Sequence, residues 1–162
     1  MLKMAFGIDK KDYKDLQVFF KDFPKLIEEA VSDATTWGLQ KIVARTPIDT
    51  GEARASFGMP RRVNKLTYMI KSDVGAGSKY TPFLEFGTGV YGKSRRPIMP
   101  KNGKMYLVFP IVKKNTIKGW VKVKSVKGMH PRGMMSKTAP HIMRELVKNI
   151  KENVSDAIKK KG

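Results

Sequence analysis

The stretch Arg45-Thr46-Pro47-Ile48-Asp49-Thr50-Gly51-Glu52-Ala53-Arg54-Ala55-Ser56-Phe57 is where the chain changes its periodicity. Pro47 disfavours helical geometry at Thr46, so a helix arriving from upstream ends there. Asp49 is placed to cap a new short helical turn, and Glu52, three residues on, to reach back as in a capping box. The expected product is a rigid corner. Arg54 lies one turn beyond Thr50. Between residues 51 and 136 the only acids are Glu52, Asp73 and Glu85, so the sequence predicts that Arg54 pairs with Glu85 and locks the corner to the sheet.

Upstream of the corner, Leu26, Ile27, Ala30, Val31, Ala34, Trp37 and Gly38 recur at spacings of three and four, which predicts a long helix over 24–46. Pro24 suits its first turn. Residues 1–23 form an arm in which Tyr13, Leu16, Phe19 and Phe20 fit a short amphipathic helix. Downstream the period falls to two at Leu66, Tyr68 and Ile70, again at Met105, Leu107 and Phe109, and again at Val121 and Val123, which predicts strands. Lysines opposite valines on the last strand imply one wet and one buried face. Asn102-Gly103 signals a hairpin from Ile98-Met99 to a strand beginning at Lys104. Ile142, Met143, Leu146, Ile150, Val154, Ala157 and Ile158 mark a final helix, opened by Pro140 and capped by Ser136 or Thr138.

The expected fold class is therefore α+β: a small antiparallel sheet of about four strands, covered by a long N-terminal helix and a C-terminal amphipathic helix. The organisation is a single domain, 1–162, with an arm (1–23), a long helix (24–46), a β-rich basic region (47–136) and a C-terminal helix (137–160).

Composition bounds the function. The chain has 162 residues, a formal net charge of +19, a hydrophobic fraction of 41% and no cysteine. Such a hydrophobic fraction supports a packed core and excludes a purely disordered polycation. No apolar run reaches the roughly 18 residues of a membrane helix, and the N-terminus lacks the apolar core and cleavage site of a signal peptide. A reducing compartment is permitted, and thiolate chemistry is excluded. Residues 1–50 carry 8 basic and 8 acidic side chains, whereas 51–136 carry 18 and 3. A polyanionic or acidic partner explains that concentration, and so does a solvated lysine-rich surface.

Catalytic signals are sparse. His130 and His141 stand eleven residues apart without a ligand-spaced carboxylate, so neither a metal nor a cofactor is expected. Gly75-Ala76-Gly77-Ser78-Lys79 has neither the order of a phosphate loop nor that of a nucleophile elbow and reads as a flexible turn. Glu28 and Glu29 belong to a helix face. The chain reads as a non-enzyme. An enzyme acting on phosphates would need a cleft converging on Ser78, Lys79 and Glu85.

Two motifs carry a resemblance. Pro47-x-Asp49-Thr50-Gly51-x-x-Arg54-x-Ser56 comes directly after the long helix, and Tyr80 to Phe83-Leu84-Glu85-Phe86-Gly87-Thr88 comes next, with a Pro131-Arg132-Gly133 turn before the last helix. Together these resemble the neck and tail-completion (head-to-tail joining, tail-component) proteins of long-tailed bacteriophages over about Asp12 to Ile158. The turn departs from the family pattern in carrying Arg132 between proline and glycine, and no aromatic residue precedes the last helix. The resemblance implies a structural virion protein at the head–tail junction that joins or caps the tail. It further implies assembly in host cytoplasm, a homo-oligomeric ring of six or twelve copies, and neighbours such as head-closure, tail-terminator and tail-tube proteins. A ring around a DNA channel also implies sequence-independent contact with packaged DNA. Lys93, Arg95 and Arg96 form one basic loop suited to a lumen or partner, and Lys113, Lys114, Lys118, Lys122 and Lys124 a second basic surface. Each is equally readable as solvated. The alternative function is a small, basic, sequence-independent DNA-binding protein.

Overall fold

The computed structural model describes residues 10–113 and 116–160. Among these residues are four α-helices, α1 (Lys10–Arg45), α2 (Glu52–Ala55), α3 (Thr81–Phe86) and α4 (Ala139–Lys159), with one pair of strands between α2 and α3 and another between α3 and α4. The strands are β1 (Arg61–Asn64), β2 (Thr67–Met69), β3 (Leu107–Lys113) and β4 (Thr116–Val123). The fold is α+β, as the periodicities predict. The strands are shared between two antiparallel hairpins, β1-β2 and β3-β4, and do not form one sheet.

The chain divides into two compact units. In its described residues the first contains 10–41, 58–71 and 138–160, and the second 42–57 and 72–137.

In the first unit, the two helices expected on either side of Pro24 are one, with Pro24 inside a helix of 36 residues. An interior proline costs about 3 kcal/mol. Here apolar groups continue across it, with Phe19 against Phe23 at 5.7 Å and against Phe20 at 5.9 Å, followed by buried Ala30, Ala34 and Leu39. Phe20 and Phe23 stay exposed, so the burial that holds this helix begins beyond Pro24, at Ala30. The amphipathic α4 runs antiparallel to α1: Asn153 Nδ2 donates to the Leu26 carbonyl at 3.2 Å, while Ile142 lies against Gly38. Met143 and Ile158, expected on the buried stripe of α4, are 60% and 59% exposed. β1, which carries little apolar signal, pairs with β2 through Arg61 to Met69 and Arg62 to Tyr68, with a bulge before Asn64. Arg62 also forms an ion pair with Glu28 of α1.

The second unit buries Ile42, Phe57 and Met134 together with the polar Thr46, Ser56, Thr81 and Glu85. Its β3-β4 ribbon pairs Leu107 with Val123, Phe109 with Val121 and Pro110 with Trp120, and is irregular between Ile111 and Val112. Pro110 is tolerated because each strand of a two-stranded ribbon has a free edge. The expected buried face is only partly covered, since Phe109 is 39% and Ile111 49% exposed. The turn at Asn102-Gly103 forms with positive φ at both residues, 57° and 73°. It does not join the expected strands, however: Ile98 bridges to Val126 instead.

Candidate functional site

The corner is built from the end of α1 forward. Thr46 closes the helix by donating from its N–H (3.0 Å) and its hydroxyl (2.8 Å) to the Ile42 carbonyl. Gly51 then adopts φ 86°, a left-handed conformation that glycine takes without steric cost, and α2 begins at Glu52. Asp49 does not cap this helix. The Glu52 N–H approaches the Thr50 hydroxyl at 3.4 Å, and no capping box forms. Gly51 holds the N-cap position, so Asp49 stands two residues too early to accept the first free N–H groups of α2.

Arg54 does not reach Glu85. Its Nε donates to the Thr46 carbonyl at 2.7 Å and its Nη2 to the Ala44 carbonyl at 3.2 Å. The guanidinium thus satisfies carbonyls left open where α1 ends, a position that also favours positive charge. The scarcity of acids pointed to Glu85, but these backbone acceptors lie only eight and ten residues away in sequence and bring their own partial negative charge.

Behind the corner three hydroxyls meet. Ser72 Oγ lies 2.6 Å from Ser56 Oγ and 2.7 Å from Thr81 Oγ1. Ser56 Oγ also donates to the Ala53 carbonyl at 2.7 Å. Asp73 and Val74 donate their N–H groups to the Ser56 carbonyl. Gly77, expected in a flexible turn, belongs to a 3₁₀ turn over Ala76–Lys79 packed on α2. A Cβ there would lie 2.0 Å from the Glu52 carbonyl oxygen, so glycine is required by close approach. Ser72, Gly77 and Thr81 carried no motif signal of their own.

Glu85 on α3 is buried, and its two carboxylate oxygens accept the N–H groups of Met135 and Ser136, each at 2.9 Å. Burial by itself pushes the carboxyl pKa up. These N–H donors, with the Met134 N–H and the Ser136 hydroxyl, outweigh it and hold the carboxyl below its ordinary value. The same face is sewn along its length. Arg132 N–H donates to the Leu84 carbonyl at 2.7 Å, Thr88 N–H to the Met129 carbonyl at 2.9 Å, and Met129 N–H to the Thr88 hydroxyl at 2.9 Å. Two elements read separately in the sequence, Glu85-Phe86-Gly87-Thr88 and the turn containing Pro131 and Gly133 (φ 62°), are thereby joined. Tyr91 stacks on His130 with centroids 3.5 Å apart.

Where these pieces meet, a groove of about 550 Å³ opens, with Pro47, Asp49, Glu52, Tyr80, Phe83 and Met129 among its lining residues. Phe86, at 69% exposure, remains outside it. Lys93, Arg95, Arg96, Lys118, Lys122 and Lys124 are all exposed. Lys122 places its ammonium 4.4 Å from the centre of the Tyr106 ring. Lys114 and the side chain of Lys113 lie outside the described residues. Among the described residues no cluster of three or more His, Asp or Glu side chains is arranged to hold a metal ion, and no helix is long and apolar enough to cross a membrane.

The corner, the hydroxyl cluster and the Glu85 staple define a structural site whose polar groups are spent on holding backbone segments together. Residues 11–87, just under half the chain, including the first motif and the second as far as Gly87, match the model of the family described as "Bacteriophage HK97-gp10, putative tail-component". That segment is similar to the bacteriophage tail-component family. No curated protein and no solved structure matches it.

Proposed function

We propose that the chain is a structural subunit of the phage virion at the head–tail junction, a neck, tail-completion or terminator-type ring subunit that joins or caps the tail. The observation that carries this reading is the tail-component match over 11–87, which covers α1, the corner and the staple helix α3. The chemistry of the site supports it. Arg54 and Glu85, the two charged motif residues best suited to reactive work, are both committed to backbone groups. Subunits of this kind work by shape and association, with no catalytic step. A ring of six or twelve copies would meet head-closure, tail-terminator and tail-tube proteins on its two faces. Assembly would take place in the host cytoplasm.

The reading is tested by placing an amber codon in the gene of the parent phage and imaging the lysate by electron microscopy. The expected outcome is filled heads and separate tails, restored to whole virions by purified protein. Normal virions in the non-suppressing host would end the proposal.

A second reading, sequence-independent DNA binding, is favoured by one specific observation. From Phe86 to Arg144 there are 14 basic residues and no acid. It requires a monomer or dimer whose affinity for duplex DNA falls steeply with salt. The mass of the purified protein, measured with and without duplex, separates the two readings: a monomer or dimer that binds duplex with steep salt dependence supports this one, and a ring-sized assembly supports the first.

A further inference from the structure

Within the second unit, two exposed surfaces are chemically complementary. The first is the groove, with an apolar wall at Pro47, Tyr80, Phe83 and Met129 and two carboxylates, Asp49 and Glu52, at its border. Tyr80 is 57% and Phe83 51% exposed. The unit has only two other acids. Glu85 is occupied by backbone N–H groups, and Asp73 has partners of its own. Among the described residues neither Asp49 nor Glu52 forms an ion pair. The groove's volume lies within the range of about 300–1,000 Å³ found for small-molecule pockets, ample room for an indole ring.

The second surface is one face of the β3-β4 ribbon. The pairings Val108 with Lys122 and Pro110 with Trp120 place these four side chains on one side. Trp120 is 66% and Val108 58% exposed, and Lys122 is exposed beside them. This face combines aromatic, aliphatic and cationic groups in a region with no acid of its own. Any contact it makes with another copy of this chain must therefore find its carboxylates elsewhere, and in the second unit the groove supplies the two that are uncommitted.

We infer that the Trp120 and Lys122 face of the ribbon in one copy seats in the groove of a second copy, with Trp120 against Tyr80 and Phe83 and Lys122 facing Asp49 and Glu52. Tryptophan in a desolvated pocket is a common centre of binding energy, and the charge pair selects register and partner. Because groove and ribbon are different surfaces, the contact is heterologous, so it propagates head to tail and closes into a ring where the rotation allows. This inference rests on the ring reading above and names the surfaces that make the ring.

The absence of cysteine makes the test direct. Full-length Thr50→Cys, on the groove, and full-length Val108→Cys, on the ribbon face, are oxidised separately and as an equimolar mixture, both free and on tails from the amber lysate. The expected result is a disulfide dimer about tenfold more abundant in the mixture than in either variant alone. Trp120→Ala in the ribbon copy, or Asp49→Lys with Glu52→Lys in the groove copy, returns it to the single-variant level. Lys122→Glu in the ribbon copy restores it against the reversed groove. A mixture no richer in dimer than the separate variants, or a dimer indifferent to these substitutions, overturns the inference. Rings or completed tails without the disulfide would remove this interface and leave the junction role standing. A disulfide without rings or tail completion would do the reverse.

Discussion

At the corner, Thr46, Ser56, Thr81 and Glu85 are buried and each has a hydrogen-bond partner, whereas along the β3-β4 ribbon Val108, Ile111, Ile117 and Trp120 are about half or more exposed. The two regions belong to the same unit and use opposite means. The corner converts polar side chains into fixed backbone geometry, because each unpaired group would cost more buried than its hydrogen bond returns. The ribbon leaves apolar area and free strand edges in water, and a two-stranded ribbon by itself is only marginally stable. The first region is closed by its own hydrogen bonds, and the second keeps at its surface the apolar area that the interface inferred above would cover.

The largest break in that contrast should come at Gly77. Gly77→Ala drives a Cβ into the Glu52 carbonyl, where backbone has to move. A destabilisation of about 3 kcal/mol or more is expected, measured as a lowered urea midpoint, with the near-ultraviolet signal of Trp120 little changed.

Glu85→Gln comes next. Replacing the carboxylate by an amide leaves one acceptor for the two N–H groups of Met135 and Ser136, at a cost of about 2 kcal/mol. Hydrogen exchange at those two amides should accelerate while that of the ribbon does not. The direction of the shift sets the pH dependence. A carboxyl held below its unfolded value contributes stability that is fully present above the unfolded pKa and is lost as pH falls through the folded one. Wild-type protein should therefore weaken on acidification below the ordinary glutamate range, and Glu85→Gln should show less of that slope.

Arg54→Lys is expected to cost about 1 kcal/mol. A lysine cannot reproduce the fork that holds both the Thr46 and Ala44 carbonyls. Fraying at the end of α1, read by exchange of the Thr46 amide, is the check.

Trp120→Ala should have the smallest effect on folding, within about 0.5 kcal/mol, because the ring is mostly in water. If thermal unfolding shows a loss comparable to that of Glu85→Gln, the ribbon is part of the scaffold and the contrast fails.

How far the sequence could be read varies by element. The long helix, the strand periods and the amphipathic last helix were legible because burial imposes periods of 3.6 and 2 directly on residue order. The two motifs, Pro47 to Ser56 and Tyr80 to Thr88, fall where buried polar side chains are hydrogen-bonded. Their partners were not legible. Arg54 to Thr46, Glu85 to Met135 and Ser136, and Ile98 to Val126 each join a side chain or strand to backbone groups. Backbone N–H and C=O groups are the same at every position, so no residue type announces them.

What this chain's sequence determined alone is its α+β character, the position of its corner and the placing of its positive charge, since these depend on local conformational preference and on composition. Only the tertiary structure decided that four strands form two hairpins, that the motif acid is stapled to backbone instead of arginine, and that a groove with two uncommitted carboxylates lies among the aromatic side chains. Those outcomes depend on which distant segments compete for the same hydrogen bonds, and that competition is settled by packing.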